Sequence, residues 1–198
     1  MLSDEQQSEL RRESIALVSV AGYRGAGTVE FLHQPRDKTF AFMEVNTRLQ
    51  VEHAVTEVTT GLDLVKLQLL VAAGEKLPGE APAEVGHAIE VRLNAEDADQ
   101  GFAPAPGTVA RLTLPTGPGI RVDTGIVEGD VIPPDYDSMV AKVIAWGQDR
   151  NEAVARLRCA LRETIVLIRG GTTIKSFLLD LLDLLDLLER PEFVSGGG

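Results

Sequence analysis

The chain has 198 residues, with 19 Lys and Arg against 30 Asp and Glu for a net charge of −11, and 44% of its residues are hydrophobic. That length suits one or two globular domains with a real core, and the excess of acid argues against a surface that neutralises nucleic-acid phosphates or lies on anionic lipid. Cys159 is the single cysteine, so no intramolecular disulfide can form. The first residues lack the basic and apolar blocks of a signal peptide, and no stretch reaches the roughly 18 apolar residues of a membrane span. The expectation is a cytoplasmic protein with no nucleic-acid and no membrane partner.

Ser3-Asp4-Glu5-Gln6 has capping-box spacing and predicts a helix over 4–21 that stops at Gly22. Residues 28–33 and 40–46 alternate as half-buried strands do, and the polar turn 34–39 joins them into a β-hairpin. Residues 46–60 mix charge and apolarity without a period and read as a loop leading to a helix over 62–73, with Gly74 as its stop. The Pro/Gly stretch 78–83 predicts a linker and a boundary near 82. Beyond it come short strands at 88–94, 108–114, 119–125 and 138–146, then a helix over 151–163 capped by Asn151. Val154, Leu157 and Leu161 share one face of that helix, with Cys159 off the stripe. The Asp-Leu-Leu repeat over 178–188 places acids at 180, 183, 186 and 189, which drift around a helix as a solvated face rather than stacking into a pocket. The organisation expected is α+β: residues 1–82, residues 83–194 and a flexible tail at 195–198.

The hairpin can be analysed by symmetry. With Asp37 at the centre of the turn, Glu30 faces Glu44 and Leu32 faces Phe42, with Asn46 further along the carboxylate face. Like charges so placed repel, and two carboxylates plus an amide oxygen suit Mg²⁺ or Mn²⁺ with phosphates completing the shell. A solvated strand face relieved by water and Lys38 fits the same spacing. Arg48, Gln50 and Glu52 then crowd a short loop, where they can form a surface ion pair or grip a small oxyanion while the carboxylate takes a proton. Glu90, Arg92 and Asn94 share one face of the strand over 88–94, either as a structural network or as an anion stabiliser. His33 and His87 lack neighbours at ligand spacing. Residues 22–27 lack the full glycine fingerprint of a nucleotide loop and read as a turn.

The runs Tyr23-Arg24-Gly25-Ala26-Gly27-Thr28-Val29-Glu30-Phe31-Leu32, Phe42-Met43-Glu44-Val45-Asn46-Thr47-Arg48-Leu49-Gln50-Val51-Glu52-His53 and Gly86-His87-Ala88-Ile89-Glu90-Val91-Arg92-Leu93-Asn94-Ala95-Glu96-Asp97 together resemble biotin carboxylase. This is the ATP-grasp component of the biotin-dependent acyl-CoA and pyruvate carboxylases. Pro104-Ala105-Pro106-Gly107 and Tyr136-Asp137-Ser138-Met139 extend the resemblance. It implies the second half of an ATP-grasp domain at 1–82 followed by the β-rich carboxy-terminal domain of the family. It assigns Glu30, Glu44 and Asn46 to two Mg²⁺ or Mn²⁺ ions bound with ATP, and Leu32 to the adenine ring. It further assigns Arg48, Gln50 and Val51 to bicarbonate, Glu52 to the base that deprotonates it, and Arg92 to the biotin enolate.

The implied reaction uses ATP and bicarbonate, through carboxyphosphate, to carboxylate biotin carried on a separate protein or domain. A carboxyltransferase absent from this chain would choose the final acceptor, and the family commonly dimerises. The glycine-rich lid and the nucleotide-holding lysines and histidines of the family have no match here, so the chain by itself is expected to be inactive. A non-catalytic module for dimerisation or carrier docking is the alternative.

Overall fold

Ser3 accepts a hydrogen bond from the Gln6 backbone, and the Gln6 side chain answers to the Ser3 N–H, so the expected capping box starts the first helix. The computed structural model describes residues 2–184. In chain order it contains α1 (Asp4–Ala21), the hairpin β1 (Thr28–Gln34) and β2 (Thr39–Asn46), α2 (His53–Thr60), α3 (Leu64–Ala72), β3 (His87–Asn94) and β4 (Glu96–Asp97). Then follow β5 (Ala103–Pro104), β6 (Thr108–Thr113), β7 (Ile120–Asp123), β8 (Met139–Gly147), α4 (Arg150–Glu163), β9 (Ile165–Arg169) and α5 (Lys175–Asp183).

The class is α+β as expected, because every strand ladder among the described residues is antiparallel. β3, β8 and β7 form a three-stranded sheet in that order, while β1–β2, β4–β5 and β6–β9 form two-stranded ribbons. α4 packs on β8, and the main core lies beneath it. Leu93, Val143 and Ala145 from the sheet meet Val154, Leu157 and Leu161 from α4, with Ile174, Leu178 and Leu182 closing the far side. Each such leucine contributes about 1.5–3 kcal/mol by leaving water. No helix among the described residues is long and apolar enough to cross a membrane.

Several expectations need correction. Residues 53–60 are helical, not loop: α2 packs against β3 and buries Ala54, Glu57 and Thr59, so tertiary contact overrides a segment rich in β-branched residues. Gly61, at φ 73°, ends α2, and the Asp63 side chain caps α3 separately. Asp149 rather than Asn151 caps α4, accepting from the Glu152 N–H. The short pairing of β4 with β5 and the strand β9 were not expected. In α5, Asp183 lies beside Arg158 and Arg162 instead of being purely solvated. Asp186 and Glu189 fall outside the described residues. Cys159 is exposed, off the buried stripe, as expected.

Candidate functional site

The hairpin brings its acids together by register. Glu30 pairs with Glu44 and Thr28 with Asn46. Asn46 Nδ2 donates to Glu30 Oε1 at 2.7 Å and lies 3.4 Å from Glu44 Oε1, so one amide bridges both carboxylates. The expected facing of Leu32 and Phe42 is not formed. A bulge at Met43 shifts the register, so that Phe31 faces Phe42 and Leu32 faces Ala41. Leu32 is 59% exposed. Among the described residues no three His, Cys, Asp or Glu side chains converge. The hairpin set is two carboxylates and an amide, hard oxygen donors that fit a small divalent cation once the amide turns its oxygen inward.

The next turn delivers the second group. Arg48 Nη1 donates to Gln50 Oε1 at 2.5 Å and to Leu49 O at 3.2 Å, leaving Glu52 outside its reach. Glu52 is paired instead with Arg92 of β3, whose Nη2 donates to Oε2 at 2.8 Å. The simple surface pair between Arg48 and Glu52 is therefore absent, and two segments distant in sequence share one charged rim. His53 opens α2 with Nδ1 2.7 Å from Gln50 O; a carbonyl only accepts, so the proton sits on Nδ1. A cleft of about 520 Å³ adjoins this turn, with Arg48, Gln50 and Glu52 in its lining together with Leu64, Leu67 and Val71 of α3.

Beneath the turn lies a charged layer that sequence reasoning missed. Lys142 of β8, with its side chain 8% exposed, donates from Nζ to Val51 O at 2.7 Å. Asp123 of β7 lies 3.3 Å from that ammonium and Glu90 of β3 lies 4.0 Å away. Arg121 bridges Asp123 and Glu57, and the other Glu57 oxygen accepts from the Leu64 N–H. Burial raises the Glu90 carboxyl above its ordinary value against the pull of Lys142 and Arg92. Burial would raise Asp123 too, but hydrogen bonding and charge from Arg121, aided by Lys142, hold it below the usual aspartate range. The Asp123 hydrogen bond is the main reason the Arg121 guanidinium is held still more firmly protonated. A lone lysine inside the apolar run Val140-Ala141-Lys142-Val143-Ile144 was the available signal, since a charge on a buried strand needs partners.

The acid–arginine–amide face of β3 thus divides its contacts: Glu90 under Lys142, Arg92 on Glu52, and Asn94 on Glu96. Glu96 also accepts from Ser138 Oγ at 2.6 Å, which ties the Tyr136–Met139 motif to the end of β3.

The family described as Biotin carboxylase C-terminal domain matches residues 90–195, and the ATP binding domain of the carbamoyl-phosphate synthase L chain matches residues 1–80. The chain is 51% identical over 163 residues to the biotin-dependent acyl-coenzyme A carboxylase alpha3 subunit of Mycobacterium leprae, covering 82% of this chain and 27% of that protein. It is 47% identical over 167 residues to the biotin carboxylase of Allochromatium vinosum, covering 83% and 36%. The biotin carboxylase domain dimer of Hydrogenobacter thermophilus 2-oxoglutarate carboxylase, solved with MgADP, ADP and bicarbonate, superposes with a TM-score of 0.85 at 38% identity over 98% of this chain and 42% of that one. The chain spans less than half the length of each of these proteins.

Proposed function

We propose, from the premise that this chain belongs to the biotin carboxylase family, that it supplies the metal, bicarbonate and biotin-enolate residues of an ATP-dependent carboxylation of biotin. The observation that carries the reading is the meeting of Glu52 with Arg92 across the chain, in the turn where Arg48 meets Gln50 and which directly follows the Glu30–Glu44–Asn46 hairpin in sequence. The ATP-grasp portion ends and the carboxy-terminal domain begins near residue 82. Support comes from the absence of regular structure between α3 and β3 and from family matches that stop at 80 and resume at 90.

In this reading Glu30, Glu44 and Asn46 hold Mg²⁺ or Mn²⁺, two ions with ATP, and Leu32 lies against the adenine. Bound there, the cations would offset charge on the nucleotide phosphates. Arg48, Gln50 and the Val51 main chain grip bicarbonate. Glu52 takes its proton, so that a bicarbonate oxygen attacks the γ-phosphorus and ADP leaves. The carboxyphosphate formed breaks down to CO₂ and phosphate, and the phosphate removes the N1 proton of biotin. Arg92 stabilises the enolate oxygen that develops, a task for a fixed guanidinium, and the biotin nitrogen then attacks CO₂. Biotin arrives on a carrier, a carboxyltransferase passes the carboxyl group on, the assembled enzyme is a homodimer, and the setting is cytoplasmic.

The test replaces the matching segment of the Allochromatium vinosum biotin carboxylase with this chain. The chimera is expected to show biotin- and bicarbonate-dependent ATP turnover, and the 198-residue chain by itself is expected to show none. A folded but inactive chimera would favour a docking or dimerisation module, and turnover by the chain alone would overturn the requirement for a second half.

A further inference from the structure

We propose that Lys142 is a positioning residue for the anion-gripping turn, acting through the Val51 carbonyl. The inference deepens the bicarbonate reading above and rests on it. Val51 has a hydrocarbon side chain, so only its main chain can meet an oxyanion, and a carbonyl facing that anion would repel it. Lys142 Nζ draws this carbonyl toward the sheet at 2.7 Å, across 91 residues of sequence.

Within a trans peptide the C=O and N–H point in opposite directions, so holding Val51 O against β8 turns the Glu52 N–H away from it. A cation on the carbonyl also polarises the peptide and strengthens that N–H as a donor. Lys142 is itself held in place: Asp123 at 3.3 Å and Glu90 at 4.0 Å approach from the strands on either side of β8. A lysine serving only to neutralise those two acids would need no contact with the turn.

The experiment uses the 198-residue chain labelled with ¹⁵N and ¹³C. In the unmodified chain, a scalar coupling through the hydrogen bond between Lys142 Nζ and the Val51 carbonyl carbon is expected, and its absence overturns the proposal without any variant. Bicarbonate titrated against the Gln50, Val51 and Glu52 amides then reads the function. Lys142→Met, which removes the charged donor, is expected to weaken bicarbonate binding about tenfold. Lys142→Arg, which keeps charge and donors, restores most of the affinity. Unchanged bicarbonate affinity in a folded Lys142→Met chain overturns the positioning role. Silent amides in the unmodified chain, with the coupling present, overturn the bicarbonate reading itself, so the two failures are distinguishable.

Discussion

Arg92 Nη2 donates to Glu52 Oε2 at 2.8 Å although 40 residues separate them, so the turn after the hairpin is joined to the strand that opens the second half of the chain. Both side chains are about half exposed, at 49% and 57%. A pair so wet adds little to stability; what it does is keep a carboxylate and a guanidinium on one rim.

The first prediction concerns Glu52 as the proposed base. In the active chimera, Glu52→Gln is expected to lower bicarbonate-dependent ATP turnover by about 10²–10⁴, the usual contribution of a positioned general base, with the melting temperature unchanged. Steady-state phosphate release measures it. Turnover within a few-fold of the parent would remove Glu52 from the proton-transfer step.

Arg92 is expected to separate the two halves of the reaction. If it stabilises the biotin enolate, Arg92→Met lowers carboxybiotin formation by about 10²–10³ while ATP cleavage with bicarbonate falls much less. Parallel assays of carboxybiotin and phosphate decide this. Equal losses would assign Arg92 to holding Glu52 instead.

Much of this site was legible before the fold. The facing of Glu30 and Glu44 was expected from a turn centred on Asp37; the ladder beside the turn is instead centred between Arg36 and Asp37, and the bulge at Met43 is what sets Glu44 opposite Glu30, while the alternation of β3 separates Arg92 from the apolar Val91 and Leu93 as expected. The bulge at Met43 was not legible, because an extra residue leaves the sequence alternation near Glu44 intact while displacing Leu32 from Phe42 to Ala41. α2 was hidden because Thr56, Thr59 and Thr60 dilute its period, and its burial of Glu57 depends on Arg121 from β7. The Glu52–Arg92 and Lys142–Val51 contacts cross between segments, and no local pattern encodes them.

The charged layer predicts a pH dependence of stability. Asp123 has a carboxyl value held below its ordinary 3.8, so it binds fewer protons folded than unfolded; its stabilisation is present above 3.8 and is lost as pH falls through the lowered folded value. Asp123→Asn is therefore expected to lower the melting temperature at neutral pH, with a deficit that shrinks as acid is added. Glu90, raised above its ordinary 4.5 by burial, acts with the opposite sign, its charge costing stability as pH rises. Melting curves of Asp123→Asn and of the unmodified chain across this acid range check the assignment. A deficit for Asp123→Asn that stays constant with pH would trace the loss to packing.

The last prediction concerns the hairpin face. Asn46 Nδ2 bridges Glu30 and Glu44 at 2.7 and 3.4 Å, so the carboxylates already converge on one point. A divalent cation arriving there gains two negative charges, and rotation of the amide exchanges its N–H for an oxygen donor. Mn²⁺ added to the labelled chain is expected to broaden the Glu30, Glu44 and Asn46 resonances first, and excess Mg²⁺ should reverse the effect. Glu44→Gln removes one charge while keeping the shape of the strand, and it is expected to weaken the broadening at all three positions without changing the cross-strand register. Broadening that begins instead along the acidic α1 surface would show that the cation follows net charge alone, and Glu30, Glu44 and Asn46 would lose their place in the metal site.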